Sequence, residues 1–162
     1  FIARVASSGV VKHTKPKSPL RLVKTRTAKK GLRMLDTDTC SYILRRRPLS
    51  VKTQFEKVGS ENLAISAVTI AELYYGAARH PESARIRREI EDLATRLKVL
   101  AWDDGAADHY GDLRAGLEKV GTPIGAMDMM IAAHALSLGA VLVTNNLQHF
   151  QRVPGLRLEN WT

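Results

Sequence analysis

The segment Met129–Leu138 constrains the fold more than any other stretch, because it is apolar on nearly every face and stops at Gly139. A helix without a polar side has to be covered all round, so this one is expected to lie buried against a sheet, with the glycine ending it. Short apolar runs surround it. Leu32–Leu35, Leu63–Ile65, Val99–Trp102 and Val141–Val143 read as strands, and Leu156–Glu159 alternates like a strand at an edge. Between them, Ile86, Ile90, Leu93 and Leu97 follow helical spacing behind Pro81, and Ala106, Tyr110, Leu113, Leu117 and Val120 do so up to Gly121. Both patterns are amphipathic and predict surface helices. Strand–helix alternation of this kind predicts the α/β class, with a mostly parallel sheet between helical layers. A chain of 162 residues with 44% hydrophobic content suffices for one core, and no internal repeat is visible.

The charge is distributed unevenly. Of the net +9, residues 1–33 carry ten Lys/Arg and no acid, whereas residues 34–162 carry fifteen Lys/Arg against sixteen Asp/Glu. The domain is therefore expected to span residues 34–162, behind a basic, disordered leader of residues 1–33 that has no sustained helical period. The leader reads either as an arm gripping phosphates or as sequence foreign to the mature protein. Phe1 at the start, and Met34 directly before LDTDT with no methionine upstream, favour the second reading. The nearly neutral domain would have to bind nucleic acid through local arginine clusters and bound cations. Cys40, the only cysteine, cannot form an internal disulfide, and no apolar run has the length of a signal or a membrane span, so a cytoplasmic protein is expected.

Three acids fall where an open parallel sheet gathers its functional groups, at the carboxyl ends of strands. Asp36 follows Met34–Leu35, Glu72 lies in the helix after Leu63–Ile65, and Asp128 opens the apolar helix. Asp36 and Asp128 could equally be helix caps. Glu72 is harder to explain structurally, because an unpaired carboxylate between Ala71, Leu73 and Tyr74 would cost several kcal/mol, by order of magnitude. Converging carboxylates repel unless a divalent cation neutralises them, and oxygen-only donors favour Mg²⁺, with Mn²⁺ as a substitute. Zinc is disfavoured: Cys40 has no partner, and His13, His80, His109, His134 and His149 lack zinc-binding spacing. His134 reads as a core histidine. No GxSxG, P-loop or GxGxxG is present.

At these residues the chain resembles the VapC-type PIN-domain toxins, over residues 34–162. LDTDTCSYIL is similar to the first-strand motif with Asp36 leading, although Asp38 stands where the family commonly has Asn. ISAVTIAELYYGA carries Glu72, and PIGAMDMMIAAHALSLGAVLVTNNLQHFQRVPGLRLENW carries Asp128 and the last strand. The resemblance implies a PIN-like three-layer α/β/α fold and an Mg²⁺-dependent endoribonuclease cutting RNA, transfer RNA among the candidates, by a metal-activated water. It also implies a homodimer bound by a VapB-type antitoxin whose C-terminal segment covers the active site. Asp36, Glu72 and Asp128 would be catalytic metal ligands. Many relatives have a fourth acid where this chain has Asn146, so Asp38, Thr144 and Asn146 are expected as supporting residues. Arg45, Arg46 and Arg47 are the first candidates for RNA contact, or simply a solvated helix end. Arg85, Arg87 and Arg88 read as ordinary surface, and one of Tyr74 and Tyr75 as core.

Two other readings remain open at this level. LDTDT and LVTNN also resemble a haloacid-dehalogenase-type phosphatase, with Asp36 as nucleophile and Asp38 as general acid, although only Glu159 is acidic after Asn146. Alternatively, the neutral Asn146 fits a catalytically silent PIN scaffold that binds RNA or protein.

Overall fold

The structure is a computed structural model and describes residues 22–23 and 31–162. The rest of the leader, and with it the expectation of disorder, lies outside the described residues. Six strands form one sheet: β1 (Leu22–Val23), β2 (Arg33–Leu35), β3 (Leu63–Ser66), β4 (Lys98–Leu100), β5 (Val141–Val143) and β6 (Arg157–Glu159). Their spatial order is β1-β4-β3-β2-β5-β6, and every pair is parallel. Seven α-helices are present among the described residues: α1 (Thr37–Arg45), α2 (Leu49–Val58), α3 (Ala67–Ala78), α4 (Ser83–Thr95), α5 (Asp104–Lys119), α6 (Ala126–Ser137) and α7 (Leu147–Phe150).

The period-2 alternation of strand side chains sorts the core into two halves. Met34, Ala64, Leu100 and Leu142 join α5 and α6 on one face. Leu35, Ile65, Val99 and Val143 join α1, α3 and α4 on the other. The result is a three-layer α/β/α sandwich. Met129, Ile131, Ala132, Ala133, His134 and Ala135 of α6 are all buried, as the apolar sequence requires, and Gly139 follows the helix at φ 58°.

The chain runs from β2 outward through β3 to β4, then returns to place β5 on the opposite side of β2. This reversal opens a crevice at the carboxyl ends of β2 and β5, where open α/β sheets bind ligands.

Several boundaries differ from the sequence reading. Leu32 is buried in the core and Arg33 belongs to β2, where it pairs with Glu159 at 2.9 Å, so ordered structure begins inside the span assigned to the leader. Helix α2 had no expectation. Its polar sequence buries only Val51, which leaves little periodic signal. Val120, counted on the core stripe of α5, lies just past the helix end and is exposed. Ala101 and Trp102 fall outside β4, with Trp102 packed edge-on to Tyr110 and donating its indole N–H to the Met130 carbonyl at 3.1 Å. No described helix is long and apolar enough to cross a membrane.

Candidate active site

Asp36 sits one residue past β2 and is the N-cap of α1. Its carboxylate accepts the Thr39 N–H at 2.7 Å, while its own N–H reaches the Val143 carbonyl at 3.1 Å. The capping role is thus real, and it fixes the carboxyl group in the crevice. The side chain is buried, and burial pushes its pKa up to about 6, against the lowering pull of the Thr144 hydroxyl and the Thr39 N–H; the nearby Asp38 charge adds to the rise. Asp38 itself is exposed.

Glu72 lies in α3, whose start is fixed by Ser66 accepting the Val68 N–H at 3.1 Å. It is half-buried rather than sealed in apolar surroundings, and accepts the hydroxyl of Thr37, the residue after Asp36. Asp128 is in the first turn of α6 but does not cap it. The N-cap is Gly125, and the Asp128 carboxylate lies 3.1 Å from His149 Nδ1. Asn146 does not cap α7 through its side chain either. Its amide nitrogen stands 2.8 Å from the same His149 Nδ1, while its backbone N–H donates to the Thr144 hydroxyl at 2.9 Å.

The contacts around the ends of β2 and β5 thus run in separate steps: Glu72 with Thr37, Asp36 with Thr144, the Asn146 backbone with Thr144, and His149 with both Asn146 and Asp128. Each of the three acids has its own hydroxyl or imidazole partner. Among the described residues, no three His, Cys, Asp or Glu side chains stand close enough to form a ligand cluster. The donor chemistry nonetheless fits a hard divalent cation: Asp36, Glu72 and Asp128 offer carboxylate oxygens and Thr144 a hydroxyl, and burial disfavours the charged form of Asp36. His149 shows no zinc-binding spacing in the sequence. Its position three residues after Asn146, across one short helical turn, is the signal that could have placed it here.

The remaining expectations can be placed around this site. His134 is buried against the Ser66 hydroxyl at 2.9 Å, and burial lowers its pKa to about 4, as a neutral core histidine requires. Tyr74 packs against the core beneath the Arg87 guanidinium, whereas Tyr75 is exposed. Arg85 and Arg87 are held by carboxylates of their own helix.

Comparison with known proteins now has a geometry to meet. Residues 33–156 match the model of the PIN domain. The chain is 43% identical to the tRNA(fMet)-specific endonuclease VapC of Salmonella typhimurium, over 79% of this chain and 96% of that protein. The chain belongs to the VapC ribonucleases of the PIN-domain family. It is likewise 44% identical to ribonuclease VapC2 of Haemophilus influenzae, over 79% of this chain and 96% of that one. A crystal structure of DNA-bound VapBC from Salmonella typhimurium superposes with a TM-score of 0.77 at 42% identity, covering 81% of this chain and 98% of its counterpart. PIN-domain ribonucleases are metal-dependent nucleases, and this chain is an endoribonuclease of the toxin–antitoxin kind. Membership of this family sets the phosphatase alternative aside, and an exposed Asp38 beside a buried Asp36 agrees with that.

Proposed function

We propose that this VapC ribonuclease uses Mg²⁺, with Mn²⁺ as a substitute, to hydrolyse phosphodiester bonds of structured RNA, with transfer RNA as the leading substrate class. The observation that carries the reading is the placement of Asp36, Glu72 and Asp128 around the switch point of the sheet, each held by its own hydrogen-bond partner. Asp36, Glu72 and Asp128 would hold the cation, with Thr144 and Asn146 supporting them. A bound divalent cation supplies a lowered pKa for the attacking water and countercharge for the scissile phosphate. The protein's own residues do the rest. Thr39 and Thr144 orient the Asp36 carboxylate, Thr37 holds Glu72 toward Asp36, and His149 positions Asp128 when its Nδ1 carries the proton. No side-chain nucleophile is required. Arg45, Arg46 and Arg47, exposed at the end of α1, would meet the phosphates beside the cut. Asp38 adds negative charge near Asp36.

The partner that this reading calls for is a VapB-type antitoxin whose C-terminal segment covers the site, bound to a homodimer in the cytoplasm. The test incubates the purified chain with transfer RNA in Mg²⁺ or in excess EDTA and analyses the fragment ends. Cleavage in Mg²⁺ alone, leaving 5′-phosphate and 3′-hydroxyl ends, supports the reading. Undiminished cleavage in EDTA removes the metal from it. RNA binding without cleavage in Mg²⁺ or Mn²⁺ favours the silent scaffold, which the uncharged Asn146 amide keeps in view.

A further inference from the structure

Beside Thr37 and Glu72 a groove of about 1100 Å³ runs between α1, α3 and α4. Its apolar floor includes Leu73, Ala77 and Ile90, and its walls carry six arginines against three acids. The charges are not equally committed. Arg85 is bonded to both Glu82 and Glu89, and Arg96 pairs with Asp92. Arg45, Arg46 and Arg47 on one wall and Arg88 on the other make no ion pair among the described residues, and all four are exposed. Once the paired side chains are set aside, Glu72 is the only acid among the described residues that line this groove.

The backbone at Arg46 adds a second observation. Arg46 closes α1 in the left-handed conformation, φ 56° and ψ 31°, with its N–H bonded to the Ile43 carbonyl at 3.1 Å. Glycine is the residue that adopts this cap without steric cost. A guanidinium stands there instead, at the mouth of the groove.

We infer that this groove is the track for the RNA backbone on one side of the cut, with Arg46 and Arg47 on the α1 wall and Arg88 on the α4 wall binding successive phosphates. The inference rests on the nuclease reading and extends it to a surface outside the candidate site. It assigns Arg88, an ordinary surface residue by sequence, to substrate binding. A scissile phosphate at Asp36 and Glu72 obliges the adjoining nucleotides to leave along a neighbouring surface, and this groove begins at Thr37 and Glu72. Unpaired guanidinium groups facing each other across it match a polyanion, and their planar donors bind phosphate oxygens in pairs.

The test measures binding of a fluorescein-labelled RNA hairpin by anisotropy in EDTA, where no cleavage intervenes, over a range of salt. The full chain is compared with Arg88→Ala, Arg47→Ala and Arg46→Gly, and with Arg114→Ala as control, since Arg114 lies on α5 and is paired with Glu118. Each groove variant is expected to weaken binding roughly three- to tenfold at low salt and to reduce the slope of log affinity against log salt by about 0.7 to 0.9, the range for one phosphate on the loop or the stem of the hairpin. Arg46→Gly suits the left-handed cap, so its loss of affinity should come with an unchanged or raised Tm, which separates charge from folding. Slopes and affinities equal to wild type in all three groove variants overturn the inference. So does undiminished RNA binding together with weakened binding of a poly-glutamate peptide, which gives the groove to an acidic polypeptide instead. Wild-type protein that cuts RNA while the variants bind it normally removes the track and leaves the nuclease; arginine-dependent binding without any cleavage does the reverse.

Discussion

Replacing Asp36 with Asn should stabilise the cation-free protein at neutral pH while removing its activity. Asn is as good an N-cap as Asp, so α1 keeps its first-turn bond from Thr39. What changes is the buried charge. Burial raises the Asp36 pKa from 3.8 to about 6, so the folded state favours the protonated acid. The contribution of this group to stability is therefore complete below the unfolded value near 3.8 and is lost as pH rises through about 6. The full loss is roughly 3 kcal/mol, which for a domain of this size is on the order of 10 °C in Tm. Thermal unfolding in EDTA should show Asp36→Asn gaining over wild type between about pH 4 and pH 7, with the gain vanishing at lower pH. Added Mg²⁺ should raise the wild-type Tm at neutral pH and leave the variant's unmoved. A variant no more stable than wild type at neutral pH, or a gain independent of pH, would refute the claim that burial disfavours the charged form of Asp36.

Three further outcomes can be checked alongside. Asn146→Ala should lower Mg²⁺-dependent cleavage roughly 10- to 100-fold with little change in Tm, and Asn146→Asp should keep cleavage and tighten Mg²⁺ binding, because the Asn146 side chain makes no cap to α7. Full activity in the Ala variant removes Asn146 from the site. A chain beginning at Met34 should be less stable than one beginning at Gly31 by about 2 kcal/mol, from the lost burial of Leu32 and the lost Arg33–Glu159 pair; equal denaturation midpoints would contradict this. His134 acts with the opposite sign to Asp36. Its pKa is lowered to about 4 by burial, so its contribution is present above 6.5 and is lost as pH falls through about 4. His134→Gln should flatten that acid limb, and an unchanged profile would show that the imidazole is not held neutral.

The fold was legible wherever side-chain periodicity was strong. Met129–Leu138 announced a buried helix because no face of it was polar, and β3 and β5 followed from short apolar runs that a sheet covered on both sides demands. Helix α2 was silent because Val51 is its one fully buried residue, with Phe55 and Val58 only partly covered. The carboxylates of the candidate site could be singled out in the sequence, but their arrangement could not. Sequence position could place Asp36, Glu72 and Asp128 at strand ends and helix starts, but it could not show that Thr37 ties Glu72 toward Asp36, or that His149 lies between Asn146 and Asp128. The Thr37–Glu72 and Asp128–His149 contacts join residues 35 and 21 positions apart, brought together only by the packing of the helices on the sheet. Arg88 was hidden for a related reason. On its own helix it looks like Arg85 and Arg87, and only the ion-pair pattern and the wall opposite distinguish it.

The central claim is that Asp36, Glu72 and Asp128 act together as the cation-holding centre of an RNA hydrolase. The most direct measurement is the initial rate of transfer-RNA cleavage at saturating Mg²⁺ for wild type, Asp36→Asn, Glu72→Gln and Asp128→Asn, each first shown to be folded by circular dichroism. The account predicts Mg²⁺-dependent cleavage by wild type and a loss of on the order of 100-fold or more in every variant, because each removes one charged ligand from a site that has only three. A folded variant that cleaves at the wild-type rate would contradict the shared centre and release that residue from it.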